Sequence, residues 1–250
     1  MKRSFAELEW ETATAKTLDD LFVLWKEAHM VDPNWEETFP KAKGILPDET
    51  FKASFKTDGV SCESGNYNKG NGNHKTADIV FVLKESDVLD ENCLASSSFD
   101  FWFDEAVENN SVKNKPKQAI AIRNRYMKKF SVIMDRYCPD WDSYTPMGYM
   151  NLNKRGGFSK ANYYRLKAYV RQYHTFILKE IEILAPKTIV LCGCVGEFIV
   201  GLMEANDLSI DIIREPDGSH QILNISSFVT PKIVTTCHPA AYTTFYSTKA

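Results

Sequence analysis

Three places in the chain put groups able to do chemistry directly after an apolar run. The first is Lys84-Glu85-Ser86-Asp87, which follows five unbroken apolar residues, Ile79 to Leu83. The second is Asn151-Leu-Asn-Lys-Arg155, which runs into the pair Gly156-Gly157. The third is His238-Pro239, directly after Lys232 to Cys237. A carboxylate accepts a proton or steadies a cation, a planar amide reads a donor–acceptor edge, and an imidazole donates to an oxygen that gains charge. Acyl transfer by a serine triad is disfavoured because no Gly-x-Ser-x-Gly elbow occurs. Phosphoryl transfer is disfavoured by the missing P-loop and kinase motifs. Structural roles stay open: Glu85 in an ion pair with Lys84 or another cation, Asn151 and Asn153 capping a turn, His238 as a satisfied surface or core residue.

For these groups to meet, the runs before them must be neighbouring strands. Ile79–Leu83 is β-branched or aromatic throughout but for one leucine, and reads as a strand buried on both faces, over 78–83. The same reading applies to a short strand at Met147, to Lys187–Gly193 and to Lys232–Cys237, with a strand-like stretch at 222–229 after a hairpin or loop at Glu215–Gly218. Helices are expected over 4–30, with Thr17 and Asp20 as a start signal, over 117–137, over 162–184 and over 195–206. Residues 33–76, including the glycine- and asparagine-rich tract 65–74, read as loop. Strand–helix alternation predicts an α/β fold, a three-layer α/β/α arrangement with a mostly parallel four-stranded central sheet. Open parallel sheets place ligands at the carboxyl ends of their strands, where Glu85, Asn151, Asn153 and His238 then share one crevice. One domain is expected over 1–250, with 1–76 a helical and loop extension packed on an α/β core at 77–250. The loop Ser96–Phe103 holds four aromatics in five residues, either an anchor for the loop or a stacking wall for a planar ligand.

The chain has 250 residues and a formal charge of −3, but that charge is segregated. Residues 1–112 balance to −11, residues 113–171 to +11 and residues 172–250 to −3. A basic middle third in a mildly acidic protein predicts contact with a polyanion, its alternative being a solvated helix face. The six cysteines include no C-x-x-C pair, and the five histidines show no ligand spacing, so neither a metal nor another cofactor is implied. No apolar run reaches about 18 residues and the N-terminus lacks a signal-peptide core, so a soluble cytoplasmic monomer with no membrane partner is expected.

The order of four motifs resembles the uracil-DNA glycosylase superfamily over roughly residues 55–245. They are Val82-Leu-Lys-Glu-Ser-Asp87, Asn151-Leu-Asn-Lys154, Leu184-Ala-Pro-Lys-Thr-Ile-Val-Leu-Cys-Gly193 and Thr236-Cys-His-Pro-Ala-Ala-Tyr242. The resemblance implies an enzyme that flips a nucleotide out of DNA and hydrolyses its N-glycosidic bond. It casts Glu85 as the residue that activates water, Asn151 as the amide reading the flipped base, and His238 as the donor to the pyrimidine oxygen. Asn153 and Asp87 would line the base, with Phe99 or Phe101 stacked on it. Tyr242 would wedge into the duplex, and Lys84, Lys154 and Arg155 would contact DNA. Asp87 stands where a tyrosine in common members blocks C5 substituents, which implies a damaged or C5-modified pyrimidine, such as a hypermodified base of phage DNA in antiviral defence. The alternatives are a non-catalytic nucleic-acid-binding protein on the same fold and an enzyme of free nucleotides or nucleosides.

Overall fold

A computed structural model of the chain describes residues 2–38, 52–61, 76–87, 116–142, 145–157, 161–206, 210–214, 221–225 and 232–236. The strands are β1 (Gly59–Ser61), β2 (Ile79–Asp87), β3 (Met147–Gly157), β4 (Thr188–Cys192), β5 (Ile210–Arg214), β6 (Gln221–Ile225) and β7 (Lys232–Thr236). They form one sheet in the order β1-β3-β2-β4-β7-β6-β5. The middle four, β3, β2, β4 and β7, pair in parallel. At the flanks β1 pairs antiparallel with β3, and β5 and β6 form an antiparallel hairpin that joins β7 through β6. The four-stranded sheet expected from sequence is therefore the parallel centre of a seven-stranded one. Three-residue β1 was missed because it lies in polar sequence read as loop; its pairing comes from β3, not from its own pattern.

The helices are α1 (Phe5–Glu11), α2 (Leu18–Val31), α3 (Trp35–Thr38), α4 (Pro116–Tyr137), α5 (Tyr163–Gln172), α6 (His174–Leu184) and α7 (Val195–Asn206). Thr17 caps α2 as its sequence suggested: its side chain accepts the Asp20 N–H, and the Asp20 carboxylate accepts the Thr17 N–H in return. The helix expected over 4–30 is instead α1, a 3-10 turn at Thr12–Thr14, and α2. The helix expected over 162–184 is interrupted at Tyr173, whose ψ of 21° leaves the helical well. Hydrogen bonds still run through that residue, from Tyr173 N–H to the Tyr169 carbonyl and from Ile177 N–H to the Tyr173 carbonyl.

Alternation along the strands divides the core between two faces. Ile79, Phe81 and Leu83 of β2 face α4, where Phe81 and Phe130 have ring centroids 4.1 Å apart. Val80 and Val82 face the opposite layer, built from α1, α2, α5, α6 and α7 around Trp25, Tyr169 and Phe176. Both faces of the run Ile79–Leu83 are thus dry, which is what an unbroken apolar run requires. Two close approaches need glycine. A Cβ on Gly148 would stand 2.8 Å from Val80 Cγ2, and one on Gly201 would stand 2.6 Å from Val170 Cγ1. Gly193, at φ 69°, turns the chain from β4 into α7.

The path of α4 matters for the charge pattern. Its last residues lie at the amino ends of the strands: Lys232 Nζ sits 4.7 Å from the Tyr137 ring, and Cys138 Sγ is 3.7 Å from Thr188 Oγ1. Phe130 lies at mid-strand against Phe81 and Tyr149. At about 1.5 Å per helical and 3.3 Å per strand residue, the first residues of α4 are level with the carboxyl end of β2.

Candidate functional site

The carboxyl ends of β2 and β3 lie side by side. Register pairs Leu83 with Asn151, Glu85 with Asn153 and Asp87 with Gly157, with two extra residues of β3 accommodated in a bulge between the last two pairs. Such a bulge re-aims side chains at a sheet end, and it follows directly after Asn153. Asn153 is buried, and its Nδ2 donates to Glu85 Oε2 at 3.0 Å. Its Oδ1 accepts the Arg155 N–H at 3.0 Å. Glu85 and Asn153, singled out separately from sequence, are therefore one hydrogen-bonded unit between central parallel strands.

Asn151 is held by a residue that the sequence did not point to. Asp58, just before β1, accepts the Asn151 N–H at 2.7 Å and its Nδ2–H at 3.1 Å. Lys154 closes this arrangement: its ammonium pairs with Asp58, donates to the Asn151 carbonyl at 2.8 Å and lies 2.8 Å from Glu180 Oε2 of α6. The Trp25 ring covers the ammonium at 4.9 Å. Burial pushes the Glu180 carboxyl up to about 8, against the pull of Lys154. Burial raises Asp58 as well. Burial opposes the charge on Lys154, but Asp58 and Glu180 outweigh it and raise the ammonium above its usual range. With a proton on Glu180, the three buried groups carry no net charge, the state a dry interior favours.

Arg155 enters the same interior. Its guanidinium donates to Tyr173 Oη at 2.8 Å and to the His29 carbonyl at 3.1 Å, and it pairs with Asp32 at 3.3 Å. Tyr173 also donates to Asp32 at 2.7 Å. His29 is buried, and burial, then the Arg155 charge, holds it well below its usual range, so it is neutral. Its Nδ1 lies 3.1 Å from the Ser54 carbonyl, which only accepts, so Nδ1 carries the proton and Nε2 accepts the Tyr169 hydroxyl at 2.7 Å. Tyr169 in turn accepts the Lys154 N–H at 3.2 Å. Segment 52–61 is stitched along this end of β3: Ser54 Oγ donates to the Arg155 carbonyl and Lys56 N–H to the Lys154 carbonyl, both at 2.6 Å.

These contacts correct two of the residues expected to touch DNA. Lys154 and Arg155 are fully buried and bound to Asp58, Glu180 and Asp32, so neither reaches a phosphate. Lys84, 29% exposed, pairs with Glu197 at the start of α7 at 3.3 Å. Asp87 is placed by its backbone alone. Phe99, Phe101, His238 and Tyr242 lie outside the described residues, although β7 ends at Thr236, opposite Cys192 of β4 and on the same sheet edge as Glu85. Among the described residues no cluster of His, Cys, Asp and Glu could hold a metal ion, and no helix is long and apolar enough to cross a membrane.

Some of the segregated charges find each other. Asp32 and Asp58, from the acidic first 112 residues, take Arg155 and Lys154, and Glu37 lies 3.3 Å from Arg171. Glu204 takes Lys167 at 2.9 Å and Arg171 at 3.6 Å. Cations are also concentrated along the sequence of α4, where Lys117, Arg123, Arg125, Lys128 and Lys129 occur without an acid before Asp135. By the path of that helix, Lys117, Arg123 and Arg125 are positions toward the carboxyl edge of the sheet.

Two missed residues did leave a signal. Glu180 sits four after Phe176 and three after Ile177, on the buried stripe of α6. His29 sits four after Trp25 on the buried stripe of α2. A charge or imidazole on an apolar stripe marks a buried partner. No protein-family model, curated protein or solved structure matches the chain.

Proposed function

We propose that this chain is a DNA glycosylase of the uracil-DNA glycosylase type, hydrolysing the N-glycosidic bond of a damaged or C5-modified pyrimidine. The observation that carries the reading is the Glu85–Asn153 pair at the carboxyl ends of adjacent central strands, the edge where parallel sheets hold ligands. In the reaction, water adds to C1′ of the sugar, the C1′–N bond breaks with its electron pair going to the base, and the water proton is taken up. Glu85 steadies the oxocarbenium-like sugar and receives that proton. His238 donates to the oxygen on which the departing base gathers charge, a role worth about 3–4 kcal/mol in a preorganised site. Extrusion of the nucleotide costs a few kcal/mol, offset by stacking on Phe99 or Phe101 and by Tyr242 filling the gap. The basic stretch of α4 supplies phosphate contacts.

The test is incubation with DNAs carrying uracil, 5-hydroxymethylated, glucosylated or unmodified pyrimidines, followed by alkali to cleave abasic sites. Abasic sites in one substrate, absent with Glu85→Gln at unchanged folding, are expected. No cleavage of any substrate, with salt-sensitive binding retained, would replace this reading by a non-catalytic binding protein. A second reading, hydrolysis of free nucleosides, is favoured by the internal pairing of Lys154, Arg155, Lys167 and Arg171. Base release from nucleosides, undiminished by competitor duplex, would establish it instead.

A further inference from the structure

Asn153 was expected to line the base, yet both ends of its amide have internal partners. The Arg155 backbone N–H points at Oδ1 and identifies that atom as the acceptor end. Nδ2 is then turned toward Glu85 and donates to Oε2 at 3.0 Å. The N–H that sets this orientation cannot easily move. Arg155 is fully buried, its guanidinium held by Asp32, Tyr173 and the His29 carbonyl, and its own carbonyl accepts Ser54 Oγ. Four residues from three elements, the end of α2, the α5–α6 junction and segment 52–61, therefore converge on the peptide that orients one amide.

From this arrangement we infer that Asn153 is the positioning residue of the Glu85 carboxylate, a fixed N–H donor that holds it in one orientation, and not a reader of the base. A donor aimed at a carboxylate oxygen favours the anion over the acid, the form a water-activating group must have. The catalytic consequence rests on the glycosylase reading of Glu85; the positioning itself does not.

Two variants separate positioning from mere structural support. In Asn153→Asp one oxygen still accepts the Arg155 N–H, while the other stands where the donor was, about 3 Å from Glu85. Two carboxyls that close share one proton, and the second ionisation of the pair lies more than about one pH unit above that of an isolated group. The acid limb of the base-release profile should move, with the variant regaining activity as pH falls and the shared proton recreates a donor. Asn153→Ala should reduce activity roughly 10- to 100-fold at all pH values, with no recovery in acid. In parallel, the Glu85 side-chain carboxyl is followed by 13C NMR, assigned by its absence in Glu85→Gln. Its midpoint should rise in Asn153→Ala and rise further in Asn153→Asp. Midpoints that stay at the wild-type value in both variants would overturn the inference. So would equal reductions at every pH in a wild-type enzyme that does release base. If the wild type releases no base but the midpoints rise as stated, the glycosylase reading falls and the positioning role stands.

Discussion

The buried Lys154–Asp58–Glu180 group makes a measurable claim on the pH dependence of folding, which Glu180→Gln isolates. Glu180 is fully buried, and its carboxyl is raised from an ordinary 4.5 to about 8, chiefly by burial. Between those values the folded protein keeps a proton that the unfolded chain has released. The folded state therefore binds more protons there, and the stability this group contributes, fully present below 4.5, is lost as pH rises toward 8. The slope is up to about 1.4 kcal/mol per pH unit, and the whole displacement corresponds to on the order of 5 kcal/mol. Asp58 is raised beside it and shares in that change. Glutamine keeps the shape of the protonated acid and does not titrate. Urea unfolding at constant ionic strength at pH 5, 6, 7 and 8 should show near-equal stabilities at pH 5 and a variant progressively more stable toward pH 8. His29, neutral in the fold, acts in the opposite direction below about 6.5 in both proteins and cancels in the difference. A difference that stays constant within about 0.5 kcal/mol from pH 5 to 8 would refute the view that Glu180 holds a proton in the folded protein.

Two further outcomes are expected. Lys154→Met leaves Asp58 and Glu180 buried without their cation and should cost about 3–5 kcal/mol in chemical unfolding, much of it regained in Lys154→Met with Asp58→Asn and Glu180→Gln. Replacing Arg123 and Arg125 by glutamine should reduce the slope of log affinity against log salt for duplex DNA by about 0.9 for each phosphate that is no longer neutralised, whereas an unchanged slope would take α4 out of the interface.

What could be read from the sequence is what short-range chemistry dictates. The apolar runs at 79–83 and 188–192 are strands because only a position dry on both faces accepts them, and both faces of the run 79–83 are dry. The Thr17–Asp20 box starts α2, Gly193 turns β4 into α7, and polar groups after Leu83 mark a strand's carboxyl end. A parallel centre of four strands follows from their alternation with helices. These are local preferences, and they place Glu85 and Asn153 at the same edge before any contact is known.

The partners of those residues were settled by tertiary structure. Asp58 and Asn151 are 93 positions apart, Arg155 and Asp32 are 123 apart, and hydrogen bonds join each pair. Charge pattern along the chain cannot tell a cation that faces a phosphate from one that faces a buried carboxylate, because Coulomb attraction acts in space and not along the sequence. Lys154 and Arg155 looked like DNA contacts by their place after Asn153, and the fold turned them inward against acids from the first 60 residues. The same folding made one asparagine the partner of Asp58 and the other that of Glu85, a division that two identical side chains two residues apart cannot announce by themselves.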